Sequence, residues 1–174
     1  MDQTKITATS DATRTTAVTA ADQAVNLIRT LNPDLQLKVN EIDLQFDNVW
    51  NDCSDDPRAD TDPPKVIQWL AYRRLYVEPH RETVTLVDPI VKALVADGWT
   101  LGHATEGDDA KTVTVTRDGF TLTVGGQTQG LPANASPVGI DVSSPCITAP
   151  AGILDWKPAA SPTPTSTPTS TPTP

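Results

Sequence analysis

Two stretches of the chain carry apolar residues at the spacing of an amphipathic helix, three or four positions apart. The first covers residues 19–32, opens with a capping-box-like sequence and stops where Pro33 follows. The second covers residues 81–97 and is followed by Gly98, a residue typical of the position just after a helix end. We expect each helix to bury its apolar stripe against a sheet.

Pro89 lies within the second helical stretch and allows two interpretations. In one, it kinks a helix of about four turns, since proline lacks the backbone N–H of a regular helix. In the other, it is the first residue of a shorter helix capped by Asp88. We favour the long, kinked helix.

Alternating apolar and polar residues predict two strands between the helices. The alternation over Leu35–Phe46 changes phase once, which predicts one long strand with a bulge near Asn40–Glu41 that continues toward Cys53. Trp69–Val77 is rich in aromatic and β-branched residues and ends before Pro79, so it predicts a second strand.

After the second helix the pattern is that of an antiparallel meander. Strands are predicted over Trp99–Thr105, Lys111–Thr116 and Phe120–Val124, with Asp118–Gly119 as a hairpin turn of a preferred type. A last strand over Val138–Val142 leads to the second cysteine. Threonines alternate with valines in the middle strand, which indicates a sheet with one solvated side.

The element order α-β-β-α-β-β-β-β predicts an α+β fold. We expect an antiparallel sheet of about five to six strands with two helices packed on one face. Residues 1–16 are expected to form a mobile leader, residues 17–158 a single domain, and residues 159–174 a disordered stalk of Ser, Thr and Pro.

The terminal tract Ser161–Pro174 indicates where the protein is located rather than how it folds. It holds only Ser, Thr and Pro, the composition of a hydrated extracellular spacer. We therefore expect an extracellular or envelope-attached protein whose signal or lipid-anchor segment has been removed upstream of Met1. No apolar run in the sequence is long enough to span a membrane.

The formal net charge of −9 excludes some partners. A nucleic acid or an anionic lipid surface would be repelled, and Arg73–Arg74 is the one local concentration of basic residues. We expect a monomer whose unknown partner is a protein or a polysaccharide at the cell envelope.

The two cysteines, Cys53 and Cys146, are far apart in sequence and form no CxxC motif. In an exported domain they most simply form one disulfide, and the alternative is a pair of buried free thiols.

Candidate chemistry elsewhere is sparse. The acidic residues Asp52, Asp55, Asp56 and Asp60 offer carboxylates to Ca²⁺, which takes about six to eight oxygen ligands. Their spacing is not that of an EF-hand, and nearby prolines restrict the loop, so a solvated acidic loop is favoured. No other cofactor is expected.

Catalytic motifs are missing from the sequence as well. The two histidines, His80 and His103, have no recognisable partner residues, and no nucleophile lies in a known motif. The sequence thus leans against an enzyme. The candidate binding surface consists of the large aromatic residues Trp156, Tyr72 and Tyr76, although Trp156 is favoured as a residue that folds back to hold the C-terminus.

A resemblance to a known family follows from residues 69–146. A helix ending in Ala96–Trp99, a three-stranded meander with an Asp-Gly turn, and the late sequence Ser144–Cys146 resemble the LppA-like group of small exported or lipid-anchored actinobacterial proteins. The resemblance implies an envelope location, one disulfide and no assigned activity. Cys53 itself lacks the preceding residues of a lipobox.

Three functions are compatible with these patterns. The favoured one is a non-catalytic exported domain, displayed on a Pro/Thr stalk, with a binding or structural role. The runner-up is a carbohydrate- or wall-binding module of a larger secreted enzyme, because similar stalks join such modules to catalytic domains. A small hydrolase is the least favoured.

The disulfide gives the first prediction. Oxidised protein should be lighter than reduced protein by a pair of hydrogen atoms, and reduction should lower the melting temperature. Closing a loop of about 93 residues removes denatured-state entropy equivalent to about 4–5 kcal/mol. Intact-mass measurement and thermal melts test this, with the double variant Cys53→Ser/Cys146→Ser as the control that should not respond to reductant. Two titratable thiols in freshly exported protein would contradict the prediction.

Overall fold

The computed structural model describes residues 2–39, 48–53, 64–79, 81–128 and 137–154. In these ranges two helices and eight strands follow one another along the chain. They are α1 (Gln3–Leu31), β1 (Gln36–Val39), β2 (Val49–Asp52), β3 (Val66–Glu78), α2 (Val84–Ala96), β4 (Thr100–Glu106), β5 (Ala110–Arg117), β6 (Phe120–Gln127), β7 (Pro137–Ser143) and β8 (Ile147–Thr148).

The strands form one antiparallel sheet in the order β1-β3-β7-β6-β5-β4. β1 and β2 pair with one edge of β3, whereas β7 and β8 pair with its other edge. The predicted α+β class is confirmed. The strand count exceeds the expected five to six because one predicted edge strand is described as two short pieces and β8 is an additional pair of residues.

Both helices pack on the same face of the sheet. α1 lies against β3 and β7, α2 lies against β5 and β6, and the two helices contact each other. Burial along β3 alternates residue by residue, so every second side chain enters the core. The sheet residues of the main core are Ala71, Leu75, Val77, Val113, Val115, Leu122, Val124, Val138, Ile140 and Val142.

The first helix corrects an expectation. The mobile leader expected over residues 1–16 is wrong for residues 3–16, which form the first half of α1. Its buried stripe continues through Ile6, Ser10 and Arg14, and two of these three side chains are polar. Apolar periodicity therefore did not reveal it. The Ser10 hydroxyl oxygen accepts a hydrogen bond from the indole N–H of Trp69 (2.9 Å), and Arg14 donates one to the side-chain oxygen of Asn48 (3.3 Å).

The predicted long strand with a bulge is described at its two ends only. Val39 pairs with Leu75 and Val49 pairs with Leu70, so the two described ends are ten positions apart in sequence while their partners on β3 are five apart. This register offset is larger than the single extra residue of a simple bulge. The predicted bulge position, Asn40–Glu41, lies outside the described residues.

The second helix and the meander agree with the sequence patterns. α2 contains Pro89 in its interior, so the long helix is confirmed, although it begins at Val84 rather than at residue 81. Gly98 after the helix has a φ of 94°. Asp118 and Gly119 have φ values of 52° and 81°, as a hairpin turn with two left-handed residues requires.

A buried threonine joins α2 to the sheet. The Thr83 hydroxyl accepts a hydrogen bond from the Gln127 backbone N–H (2.9 Å) and can donate to the Pro137 carbonyl oxygen (3.2 Å). The backbone of Thr83 comes so close to Gly126 that a Cβ atom there would lie 2.5 Å from the Thr83 carbonyl oxygen. Glycine is therefore required at this contact by the close approach of two backbones.

The contact predicts that Gly126→Ala destabilises the fold. The added methyl group must push two backbone segments apart, which costs about 1–3 kcal/mol or more in a packed interior. Urea denaturation measures the change. Gly139→Ala is the matched control, because a Cβ at Gly139 meets nothing within 4 Å, and its midpoint should stay close to that of the wild type. Equal stability of the two variants would contradict the assignment.

Candidate functional site on the open face of the sheet

The face of the sheet opposite the helices carries the candidate site. Residues paired across antiparallel strands share a face, and successive residues alternate. We call this side the open face. On β3 it consists of the even-numbered residues. Their paired residues on β7, and the residues paired with those on β6 and then on β5, lie on the same face. Its central side chains are Tyr72, Arg74, Tyr76, Asp141, Thr123, Thr112, Thr114 and Thr116, and Gly139 and Gly125 lie among them.

Three alternate residues of β3 form a polar ladder along the open face. The Arg74 Nε and Nη2 atoms donate to the Tyr72 hydroxyl oxygen at 3.2 and 2.8 Å, and the guanidinium carbon is 5.5 Å from the centre of the Tyr72 ring. These hydrogen bonds to Tyr72, with a smaller contribution from Tyr76, raise the pKa of Arg74 above its ordinary value. The guanidinium is thus held in place on an exposed surface, which reduces the entropy lost when it binds a ligand.

A carboxylate lies one strand away from this ladder. Asp141 on β7 is directly opposite Tyr72 on β3 and Thr123 on β6. Within the described ranges of the chain no hydrogen bond or ion pair holds its carboxylate, and it does not pair with Arg74. Partial desolvation raises the pKa of Asp141 above its usual range. A partly desolvated carboxylate that is still accessible and has no partner in the described ranges is a candidate for ligand binding.

Glycines open a shallow depression between these groups, here called the glycine trough. Its floor is Gly139 on β7 and Gly125 on β6, which are opposite each other. Arg74 lies opposite Gly139 at one end, and Thr112 lies opposite Gly125 at the other. A Cβ at Gly139 would meet nothing within 4 Å, whereas a Cβ at Gly125 would touch a Thr112 methyl carbon at 3.4 Å.

The sides of the glycine trough are the neighbouring rows of side chains. On one side, Asp141 lies two positions after Gly139 and Thr123 lies two positions before Gly125. On the other side, Pro137 lies two positions before Gly139 and Gln127 lies two positions after Gly125. Two positions along a strand are about 6.7 Å, so the floor is bounded on both sides by side chains that point outward. The arrangement can hold an extended ligand that crosses the strands.

The structure brings two of the predicted binding-surface residues together. Tyr72 and Tyr76 both lie on the open face, while Trp156 lies outside the described residues. Trp69 and Trp99 are buried in the core, with the Arg117 guanidinium 4.5 Å above the Trp99 ring. Sequence reasoning missed Arg74 and Asp141. The alternation of β3 could have shown that Arg74 shares a face with both tyrosines, whereas the position of Asp141 depends on strand order.

The predicted disulfide is present. Cys53 follows β2 and Cys146 precedes β8, and both segments pair near the first residues of β3. Their Cα atoms are 6.3 Å apart and the bond closes a sequence separation of 93. It connects two short strands that lie on opposite edges of the same central strand.

The acidic and histidine candidates do not form a site in the part of the chain that the structure describes. Asp52 lies at the end of β2, and Asp55, Asp56 and Asp60 lie outside the described residues, as does His80. Among the described residues no three His, Cys, Asp or Glu side chains group closely enough to hold a metal ion. His103 is exposed on β4. Neither helix of the described ranges is both long and apolar enough to cross a membrane.

The geometry defines a class of protein in which two helices cover one face of an antiparallel sheet and leave a polar face open. No protein-family model and no curated protein matches the chain. Among solved structures, it is similar to the crystal structure of the putative lipoprotein LppA from Mycobacterium tuberculosis. The match has 14% sequence identity and a TM-score of 0.51, and it covers 92% of this chain and 95% of that one. It confirms the LppA-like resemblance at the level of the fold.

The raised pKa of Asp141 predicts a pH-dependent effect of Asp141→Asn. Because the folded protein holds the proton more tightly than the unfolded chain, stability falls as pH rises from the ordinary carboxyl pKa through the raised one. The variant should therefore melt at a higher temperature than the wild type near pH 7, and the difference should vanish below about pH 3, where both forms are neutral.

Thermal melts across this pH range test the prediction. Asp108→Asn, in the exposed turn between β4 and β5, is the control for the loss of one negative charge. A variant that is less stable than the wild type at neutral pH would show that Asp141 makes a stabilising contact.

Proposed function

We propose that this protein is a non-catalytic binding domain of the cell envelope and that the open face of its sheet is the binding surface. The observation that carries the proposal is the placement of Arg74, Tyr72 and Asp141 around an uncovered floor at Gly139. An exposed guanidinium held by tyrosine hydroxyls and a carboxylate without an ion-pair partner are groups prepared to bind a ligand.

Three observations support the envelope location. Disulfides persist in exported proteins and are rare in the cytosol, and Cys53 and Cys146 are bonded. The tract from Ser161 to Pro174 has the composition of a spacer that holds a domain away from a surface. The structurally similar LppA is titled a putative lipoprotein, which favours the same compartment here.

The chemistry of the open face supports binding rather than catalysis. Its groups within the described strands are a guanidinium, a carboxylate, amides and hydroxyls, which bind ligands through hydrogen bonds. The two cysteine sulfurs are joined in the disulfide and cannot act as nucleophiles. The proposed binding needs no cofactor.

The alternative function, a wall-binding module of a larger secreted enzyme, would use the same surface. It differs only in what the stalk joins: a catalytic domain in that case, and the envelope in the favoured one. The observation that supports this alternative is the large number of hydroxyl groups on strands β5 and β6.

Co-sedimentation with isolated, washed cell envelopes of the source organism tests the proposed function. The wild type should sediment with the envelopes, and the double variant Arg74→Ala/Asp141→Ala should bind at least about tenfold more weakly, since hydrogen bonds to charged groups are worth about 1.5–3 kcal/mol each. The matched control is Glu82→Ala/Lys92→Ala, which also removes one charge of each sign from exposed positions. Absence of wild-type binding, or an equal loss in both double variants, would overturn the proposal.

A further inference from the structure

The open face has almost no net charge on its described strands, although the chain as a whole has a net charge of −9. The charges on its described strands cancel. Lys38 is ion-paired with Glu78 at 2.7 Å, and the positive charge of Arg74 is offset by the negative charge of Asp141, although the two side chains are not ion-paired. A ligand that approaches this face therefore meets little net charge, unlike one that approaches the rest of the molecule.

Hydroxyl groups outnumber the charged groups on the described strands of this face. The strand pairings place a row of threonines beside the glycine trough, and the Thr114 and Thr123 hydroxyls are 3.3 Å apart, within hydrogen-bond distance. Strand pairing and alternation place further hydroxyl-bearing residues on the same face. Together they are Thr100, Thr105, Thr112, Thr114, Thr116, Thr121, Thr123 and Ser143.

A protein partner would require a different surface. Stable protein interfaces are built around desolvated aromatic or aliphatic anchors. The exposed large aliphatic side chains of the described residues are Leu31, Val95, Leu101 and Leu154, and none of them lies on the open face. The tyrosines that do lie there contact a guanidinium and have polar hydroxyls, which suits a ligand that is itself rich in hydroxyl groups.

We propose that the glycine trough binds a segment of an uncharged polysaccharide, which crosses β3, β7, β6 and β5. One sugar ring lies over Gly139, where a Cβ atom would meet no atom of the described residues within 4 Å. Arg74 donates hydrogen bonds to its hydroxyl oxygens from the end of the trough, and the Asp141 carboxylate accepts hydrogen bonds from its hydroxyls along one side. The following rings lie over Gly125 and contact the Thr112 methyl group. This assignment rests on the proposed function and adds the class of ligand.

A variant that fills the trough tests the assignment directly. Gly139→Leu puts a side chain on the floor, where the backbone needs no left-handed conformation and a Cβ has open space. Thr15→Leu adds the same side chain at an exposed position of α1, on the helix side of the sheet and away from the trough, and serves as the matched control. Thermal melts establish that both variants are folded, and Asp141→Ala provides a second variant that changes the trough without enlarging a side chain.

The binding assay uses three fractions of the cell envelope: polysaccharide freed of protein by protease and of lipid by solvent, the extracted lipid as vesicles, and the envelope proteins. Purified cellulose and chitin are added as defined uncharged polysaccharides. The wild type and Thr15→Leu should sediment with at least one polysaccharide, and Gly139→Leu and Asp141→Ala should bind it at least about tenfold more weakly.

The outcomes separate the two proposals. Wild-type binding to the protein or lipid fraction without binding to any polysaccharide would overturn the ligand class and leave the envelope-binding function in place. Polysaccharide binding that Gly139→Leu does not weaken would overturn the trough as the site. No binding to any of the fractions would overturn the proposed function as well.

Discussion

The pairing of β3 at both edges is the constraint on which the rest of the structure depends. The strand is 13 residues long, and β1, β2, β7 and β8 all pair with it. Trp69 near its start exchanges hydrogen bonds with Ser144 through its backbone N–H (2.8 Å) and carbonyl (2.9 Å), and its indole N–H binds Ser10 on α1. Because alternate residues of β3 must enter the core, the intervening residues are committed to the open face.

Consecutive arginines show how this constraint links packing to binding. The side chain of Arg73 is only 2% exposed and pairs with Asp22 of α1 at 3.0 Å. A buried guanidinium without its partner would be strongly destabilising, so this pair favours one position of α1 over β3. Arg74 points to the other side of the sheet and is held there by Tyr72. One dipeptide thus contributes to helix packing on one face and to the candidate site on the other.

The elements with regular apolar periodicity were predictable from the sequence, and those with interrupted periodicity were not. α2, the meander and the Asp118–Gly119 turn follow from local patterns, and the disulfide follows from composition and location. The first half of α1 was missed because Ser10 and Arg14 occupy its buried stripe, where Trp69 and Asn48 provide partners from distant parts of the chain. A buried polar residue is recognisable only when its partner is known.

The sequence alone determined the α+β class, the solvated face of the meander and the two tyrosines of the candidate surface, because side-chain alternation is a local property of a strand. Only the tertiary structure decided that Asp141 lies beside Tyr72 and that Gly139 lies beside Arg74. These neighbours depend on the pairing of β3 with β7 and on its register. A shift of one residue would turn Asp141 into the core, so burial of Val138, Ile140 and Val142 fixes the register and thereby assembles the site.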